Sequence, residues 1–111
     1  MGRASRTALV TRPIHIAHLD EARTVLVLTR ELVRPHLRTV TVAPITSTVR
    51  GLSTEVAVGP RNGLDHACVV TLDNVTTIPA TALGRQVGHL LDEQEPALAR
   101  AVQLAFDLDD R

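Results

Sequence analysis

Thr24-Val25-Leu26-Val27-Leu28-Thr29 and, after the connection Arg30 to Arg38, Thr39-Val40-Thr41-Val42-Ala43-Pro44 are the two stretches on which the reading of the fold turns. The first is β-branched and apolar without polar alternation, the pattern of a strand buried on both faces and therefore central in its sheet. The second alternates Thr with Val, which turns the valines inward and the threonines outward, and Pro44 marks the end of regular pairing. Between them, Pro35 interrupts a polar connection that holds one helical turn before the proline stops it.

Working outward, Ile14-His15-Ile16-Ala17-His18-Leu19 alternates loosely and reaches a tight turn at Asp20-Glu21, so it reads as a first strand. Downstream, Thr54 to Val58 reads as a fourth strand, Gly59 to Gly63 as a turn, and Cys68 to Leu72 as a fifth strand. Asn74 to Ile78 leads to Pro79-Ala80-Thr81-Ala82-Leu83, which fits a short helix with Pro at its first position and Gly84 after its end. Gln86 to Leu90 is a brief last strand. Asp92 then caps a helix, with Glu93 and Glu95 in the first turn and Glu95 at the capping-box position, running to about Leu108. Leu98, Val102 and Ala105 form one stripe on it, and Ala97, Ala101, Leu104 and Leu108 the adjoining one. So broad an apolar face fits either a helix packed on its own sheet or one shared at a dimer contact. Short strands with brief turns, then one helix, make a small, strongly curved antiparallel sheet or partial barrel, mainly β within the α+β class. The 111 residues suit one domain, 1–111, with residues 1–12 expected to be flexible.

Composition removes several kinds of protein. No apolar run approaches the roughly 18 residues that span a bilayer, and only Ala8 to Val10 follow the first arginines, so no membrane partner and a cytoplasmic location are expected. The single cysteine, Cys68, can form neither an intrachain disulfide nor a thiolate cluster. All 12 basic residues are arginine, which excludes a Walker lysine, Schiff-base chemistry and lysine bases. Phe106 is the one aromatic residue, so RNA modules that stack bases on sheet aromatics do not fit. Net charge is zero but segregated. Residues 1–64 hold nine Arg against Asp20, Glu21, Glu31 and Glu55, or +5, whereas residues 65–111 hold three Arg against eight acids, or −5. That split fits a surface facing a polyanion, and equally a solvated acidic helix face.

Chemistry has few places to reside. His15 and His18 are three apart on a strand and face opposite ways, and His36, His66 and His89 are scattered, so no metal or other cofactor is expected. There is no nucleophile elbow, no phosphate-cradling glycine spacing, and Cys68 lies in an apolar strand where a thiol is inert packing. What remains is Arg23 opening the second strand and Thr46-Ser47-Thr48 with Arg50 just after the third. If those strands pair, their ends bring a guanidinium and several hydroxyls around one phosphate, which is what a metal-free phosphoryl site requires.

The order of residues carries more. Arg23 to Arg30, then Val40-Thr41-Val42-Ala43-Pro44-Ile45-Thr46-Ser47-Thr48-Val49-Arg50-Gly51, then Cys68-Val69-Val70-Thr71-Leu72-Asp73-Asn74-Val75-Thr76-Thr77-Ile78, then Leu83 to Gly88, resembles the MazF/PemK family of toxin-antitoxin endoribonucleases over about Ile14 to Leu108. The most specific parts are Ala-Pro-Ile-Thr-Ser and Asp-Asn-Val-Thr-Thr. The resemblance implies an SH3-like barrel with a C-terminal helix, working as a homodimer that cuts single-stranded RNA and is silenced by a cognate, MazE-like antitoxin. It implies catalytic roles for Arg23 and Thr46, and RNA-binding roles for Ser47, Thr48, Arg50 and Asn74, the last standing where the family usually has Gln after Asp. The sequence departs from the family at Arg23-Thr24-Val25, in place of Arg-Pro-Val. It also lacks the long loop before the arginine, with only Glu21-Ala22 between Asp20 and Arg23, so an acid supplied by that loop is either missing or replaced by Glu21.

Family precedent implies attack by a ribose 2′-OH on its own phosphate, giving a 2′,3′-cyclic phosphate and a 5′-OH. Two other readings stand beside it. The same barrel serves gyrase-poisoning toxins that cut nothing, although their C-terminal aromatic anchor has no counterpart in Leu108-Asp109-Asp110-Arg111; a noncatalytic RNA- or antitoxin-binding relic is the third.

Overall fold

A computed structural model describes residues 12–108. Seven strands form one curled antiparallel sheet: β1 (Pro13–His18), β2 (Ala22–Val27), β3 (Thr39–Thr46), β4 (Glu55–Val58), β5 (Cys68–Thr71), β6 (Thr76–Pro79) and β7 (Leu83–His89). Their order is β4-β5-β3-β2-β1-β7, with β6 also pairing to β3. One helix follows, α1 (Glu95–Ala105). The result is a half-barrel with a C-terminal helix, the fold class the sequence implies.

The curl follows from β3. One of its edges pairs with β2, Val25 opposite Pro44 and Val27 opposite Val42. Its first half also pairs with β6, from Thr39↔Pro79 to Val42↔Thr76, and its last two residues pair with β5, Ile45↔Val70 and Thr46↔Val69. Pro44 therefore does not end the strand. It sits where β3 passes from one neighbour to the next, a point at which a missing N–H costs no ladder bond, and its carbonyl accepts the Thr71 hydroxyl at 3.1 Å.

Because the sheet bends over on itself, both faces of the central strands are covered. Leu26 joins Ile14, Val70, Leu72 and α1's Leu98 in one core, while its neighbours Val25 and Val27 join Ala17, Val40, Val42 and Ile78 in the other. This is why the run at 24–29 lacks polar alternation. Val40 and Val42 are buried and Thr39 is exposed, as the alternation in β3 requires.

Several local expectations are corrected. Pro35 lies inside a single 3-10 turn, Arg34–His36, because its fixed φ suits the first positions of a turn. Residues 76–79 form a strand that their own pattern does not announce, since Thr-Thr-Ile-Pro is a strand only by pairing with β3. Pro79 ends that strand, the expected helix at 79–83 is one 3-10 turn at Ala80–Ala82, and β7 starts at Leu83.

The helix entry also differs. A 3-10 turn at Asp92–Gln94 precedes α1, and the reciprocal contact belongs to Gln94, whose Oε1 accepts the Leu91 N–H at 2.8 Å. Asp92 makes no side-chain cap, and Glu95 pairs instead with Arg12 at 2.8 Å. Arg12 thus reaches α1, while residues 1–11, the rest of the segment expected to be flexible, lie outside the described residues. At its other end α1 stops at Ala105, three residues before the expected limit. Asp107 takes φ 56°, and the Leu108 N–H reaches the Gln103 carbonyl at 2.7 Å, a left-handed terminus that satisfies the last carbonyls. Leu98 and Ala101 are buried, but Leu104, Phe106 and Leu108 are about half exposed, so the sheet covers only part of the apolar face.

Candidate active site

Arg23 and Thr46 come to one groove of about 600 Å³ that also takes in Thr48, Arg50, Asp73 and Asn74. Register explains the meeting. Val25 stands opposite Pro44 at the end of the β2–β3 ladder, and Arg23 and Thr46, each two residues beyond, share the face of that pair and line the same groove. Thr24 and Ile45, one residue back on each strand, turn to a different cavity of about 430 Å³.

The same alternation separates Ser47 from its neighbours. Thr46 and Thr48 line the groove, whereas Ser47 lines that second cavity with Thr24, His66 and Arg85. Of the six residues singled out from sequence, the structure therefore assembles Arg23, Thr46, Thr48, Arg50 and Asn74, and leaves Ser47 elsewhere.

The hydroxyl of Thr46 has a defined local role. Its Oγ accepts the Thr48 N–H at 3.1 Å. With that lone pair occupied by the backbone, the hydroxyl proton remains available for an acceptor in the groove. Arg23 donates to Glu21 at 3.1 Å, and both side chains are well exposed, so this pair is easily exchanged for an incoming anion.

The far wall is built from the chain following β3. Thr54 donates to Asp73 at 2.6 Å, and the Leu72 N–H reaches the Thr54 carbonyl at 3.1 Å, tying the start of β4 to the 3-10 turn Leu72–Asn74 that carries Asn74. Glu55 accepts backbone N–H groups from Arg50, Gly51 and Leu52. Both acids that line the groove are thus engaged by the protein, while the guanidinium of Arg23 faces it beside a hydroxyl. An anionic ligand fits this arrangement better than a cation. Glu55, Asp73 and Thr54 are not singled out by sequence, because their contacts are long-range or loop-specific and leave no periodic trace.

The histidines do not converge. His15 donates from Nδ1 to the Gly84 carbonyl at 2.8 Å, which spends one ring nitrogen on the sheet. No group of three or more His, Cys, Asp or Glu side chains with metal-holding geometry occurs among the described residues.

A curled antiparallel half-barrel with one C-terminal helix, with an arginine and a threonine hydroxyl in one groove, defines a class of small, mainly β proteins. The sequence model of one family, described as the PemK-like, MazF-like toxin of type II toxin-antitoxin systems, matches residues 9–106, and this chain belongs to that family. Among curated relatives, Endoribonuclease MazF3 of Mycobacterium tuberculosis (strain ATCC 25618 / H37Rv) is 67% identical over 98 residues, spanning 88% of this chain and 95% of the relative. The solved structure of the Mycobacterium tuberculosis toxin MazF-mt6 superposes with a TM-score of 0.86 at 67% identity, covering 89% of this chain and all of that one. A mycobacterial endoribonuclease solved with its cognate antitoxin shares the fold at 24% identity, TM-score 0.79, over 89% of this chain and 95% of its own.

Proposed function

We propose that the groove between β2 and the β3–β4 connection cleaves single-stranded RNA. The chain is an endoribonuclease toxin, the activity named in its 67% identical relative, and a cognate antitoxin silences it. The observation that carries the reading is the placement of Arg23 and Thr46 in one groove, with the Thr46 oxygen already tied to a backbone N–H.

The ribose 2′-oxygen loses its proton to a base and attacks its own phosphorus, the bond from phosphorus to the 5′-oxygen breaks, and that oxygen leaves and takes a proton from water in the open groove. The products are a 2′,3′-cyclic phosphate and a 5′-OH. Because the nucleophile is tethered to the phosphorus, the protein must align it and stabilise developing charge, and no metal hydroxide is required. A guanidinium offers five N–H donors and no acceptor, so Arg23 grips the nonbridging oxygens and stabilises charge on the leaving oxygen but does not act as base. Glu21, 3.1 Å from that guanidinium, is the carboxylate at hand for the 2′-OH proton. Thr46 donates to a nonbridging oxygen. Thr48, Arg50 and Asn74 hold the flanking nucleotides.

We propose that the toxin is cytoplasmic and works as a homodimer; the uncovered Leu104, Phe106 and Leu108 at the end of α1 support the second part. An antitoxin with an acidic, apolar tail suits the arginine-rich half.

The test is to incubate the purified protein with RNA and map the ends. Cyclic phosphate and 5′-OH termini are expected, with a 2′-deoxy substitution at the scissile position blocking the cut and EDTA leaving the rate unchanged. Cleaved DNA refutes the 2′-OH mechanism, EDTA inhibition refutes metal independence, and intact RNA refutes the enzyme reading in favour of a binding toxin of the same fold.

A further inference from the structure

We propose that Glu55 is a positioning residue for RNA binding: by holding the backbone of residues 50–52 on its carboxylate, it sets Arg50 against the groove. The inference rests on the RNA-cleaving reading above and names a further residue of the same site, one that the sequence reading does not single out.

The geometry is specific. Oε1 of Glu55 accepts the N–H groups of Gly51 at 2.9 Å, Leu52 at 3.2 Å and Arg50 at 3.3 Å, and Oε2 accepts the Arg50 N–H again at 3.2 Å. Three consecutive amides converging on one anion form a nest, and Gly51 at φ 76° supplies the left-handed residue that lets them converge. The Glu55 N–H in turn reaches the Leu52 carbonyl at 3.1 Å, closing the turn from the other side. Few other contacts hold this segment. Residues 47–53 are all exposed, and they lie between the last residue of β3 and the first of β4. Without the carboxylate, the segment carrying Arg50 loses its hold on three consecutive amides, so more of the cost of immobilising its guanidinium falls on RNA binding.

Glu55 is also a negative charge lining a groove proposed to hold a polyanion, and the two roles predict opposite signs. If its charge merely repels RNA, removing it tightens binding. If it holds Arg50 in place, removing it weakens binding despite the charge gained. A positioning role further requires that Glu55 act through Arg50, so the two substitutions must not add.

The experiment measures steady-state cleavage of an RNA oligonucleotide by wild type, Glu55→Ala, Glu55→Gln, Arg50→Ala and the Glu55→Ala/Arg50→Ala double variant, with melting temperatures alongside. Glu55→Ala is expected to raise KM about tenfold with kcat within about threefold, in keeping with loss of several charge-assisted bonds in an exposed loop. Glu55→Gln should fall between, because its amide oxygen still accepts N–H groups while its NH₂ opposes one. The double variant should match Arg50→Ala within about twofold, where independent effects would multiply. A KM that falls or stays level, a loss confined to kcat, or multiplying effects overturns the proposal. If Glu55→Ala does not fold, Glu55→Gln decides by the same criteria: a KM at or below the wild-type value overturns it. Wild-type protein that leaves RNA intact instead defeats the functional reading, whereas active wild type with indifferent Glu55 variants defeats this inference alone.

Discussion

Replacing Arg23 by Ala separates folding from chemistry more cleanly than any other change in the groove. The Arg23 side chain is 58% exposed and that of its partner Glu21 72%, at 3.1 Å. An exposed pair of this kind contributes about 0.2–1 kcal/mol, so the melting temperature should fall by no more than about 4–8 °C. The reaction loses far more. Removing one preorganised donor to the phosphorane typically costs about 10²- to 10³-fold, or roughly 2.7–4 kcal/mol of transition-state stabilisation. Arg23→Ala is therefore expected to fold normally and to cleave RNA at least about a hundredfold more slowly. Arg23→Lys should recover only part of the rate, because a point charge cannot bridge two oxygens as the guanidinium fork does. The assay is cleavage of a fluorescent RNA oligonucleotide beside thermal unfolding monitored by circular dichroism. Cleavage by Arg23→Ala within about threefold of wild type would refute the site, since a hundredfold loss is the least that the assigned role permits. A rate loss matched by collapse of the folded state would make Arg23 structural.

Two further outcomes test the frame that holds the groove. Asn62, 2% exposed, receives the Gly59 N–H and donates to the His89 carbonyl and Gln94, so Asn62→Ala should cost about 2 kcal/mol or more in urea unfolding by stranding buried partners; a change under about 0.5 kcal/mol would show the network to be dispensable. The Arg61 guanidinium, by hydrogen bond and charge, holds the Glu93 carboxyl below its ordinary range. A depressed acid pKa contributes stability above the unfolded-state value and loses it as pH falls through the folded-state value. The melting-temperature gap between wild type and Glu93→Gln should accordingly be small at neutral pH, shrink with salt, and close under acid. A gap that widens toward low pH contradicts the assignment.

Much of this protein is legible along the chain because its signals are local. The apolar run at 24–29 and the Thr–Val alternation at 39–42 state which faces are buried, since strand periodicity depends only on neighbours two residues apart. Five residues of the groove, Arg23, Thr46, Thr48, Arg50 and Asn74, are legible through the family resemblance, as an order of residue types. The absence of lysine, the single cysteine and the lack of metal, nucleophile or phosphate-loop spacings narrowed the chemistry to arginine and hydroxyl groups. Pairing across the sheet decided the rest. Residues 76–79 are a strand because β3 offers them an edge, Pro44 continues a strand because it falls between two partners, and Gln94 rather than Glu95 closes the helix entry because Arg12 claims the latter's carboxylate. Register brings Arg23 and Thr46 to one groove and turns Ser47 away, and a loop fold brings Glu55 onto three amides of the chain before it. Such contacts join residues through space, so their energies depend on the closed sheet and leave no pattern in the sequence that forms them.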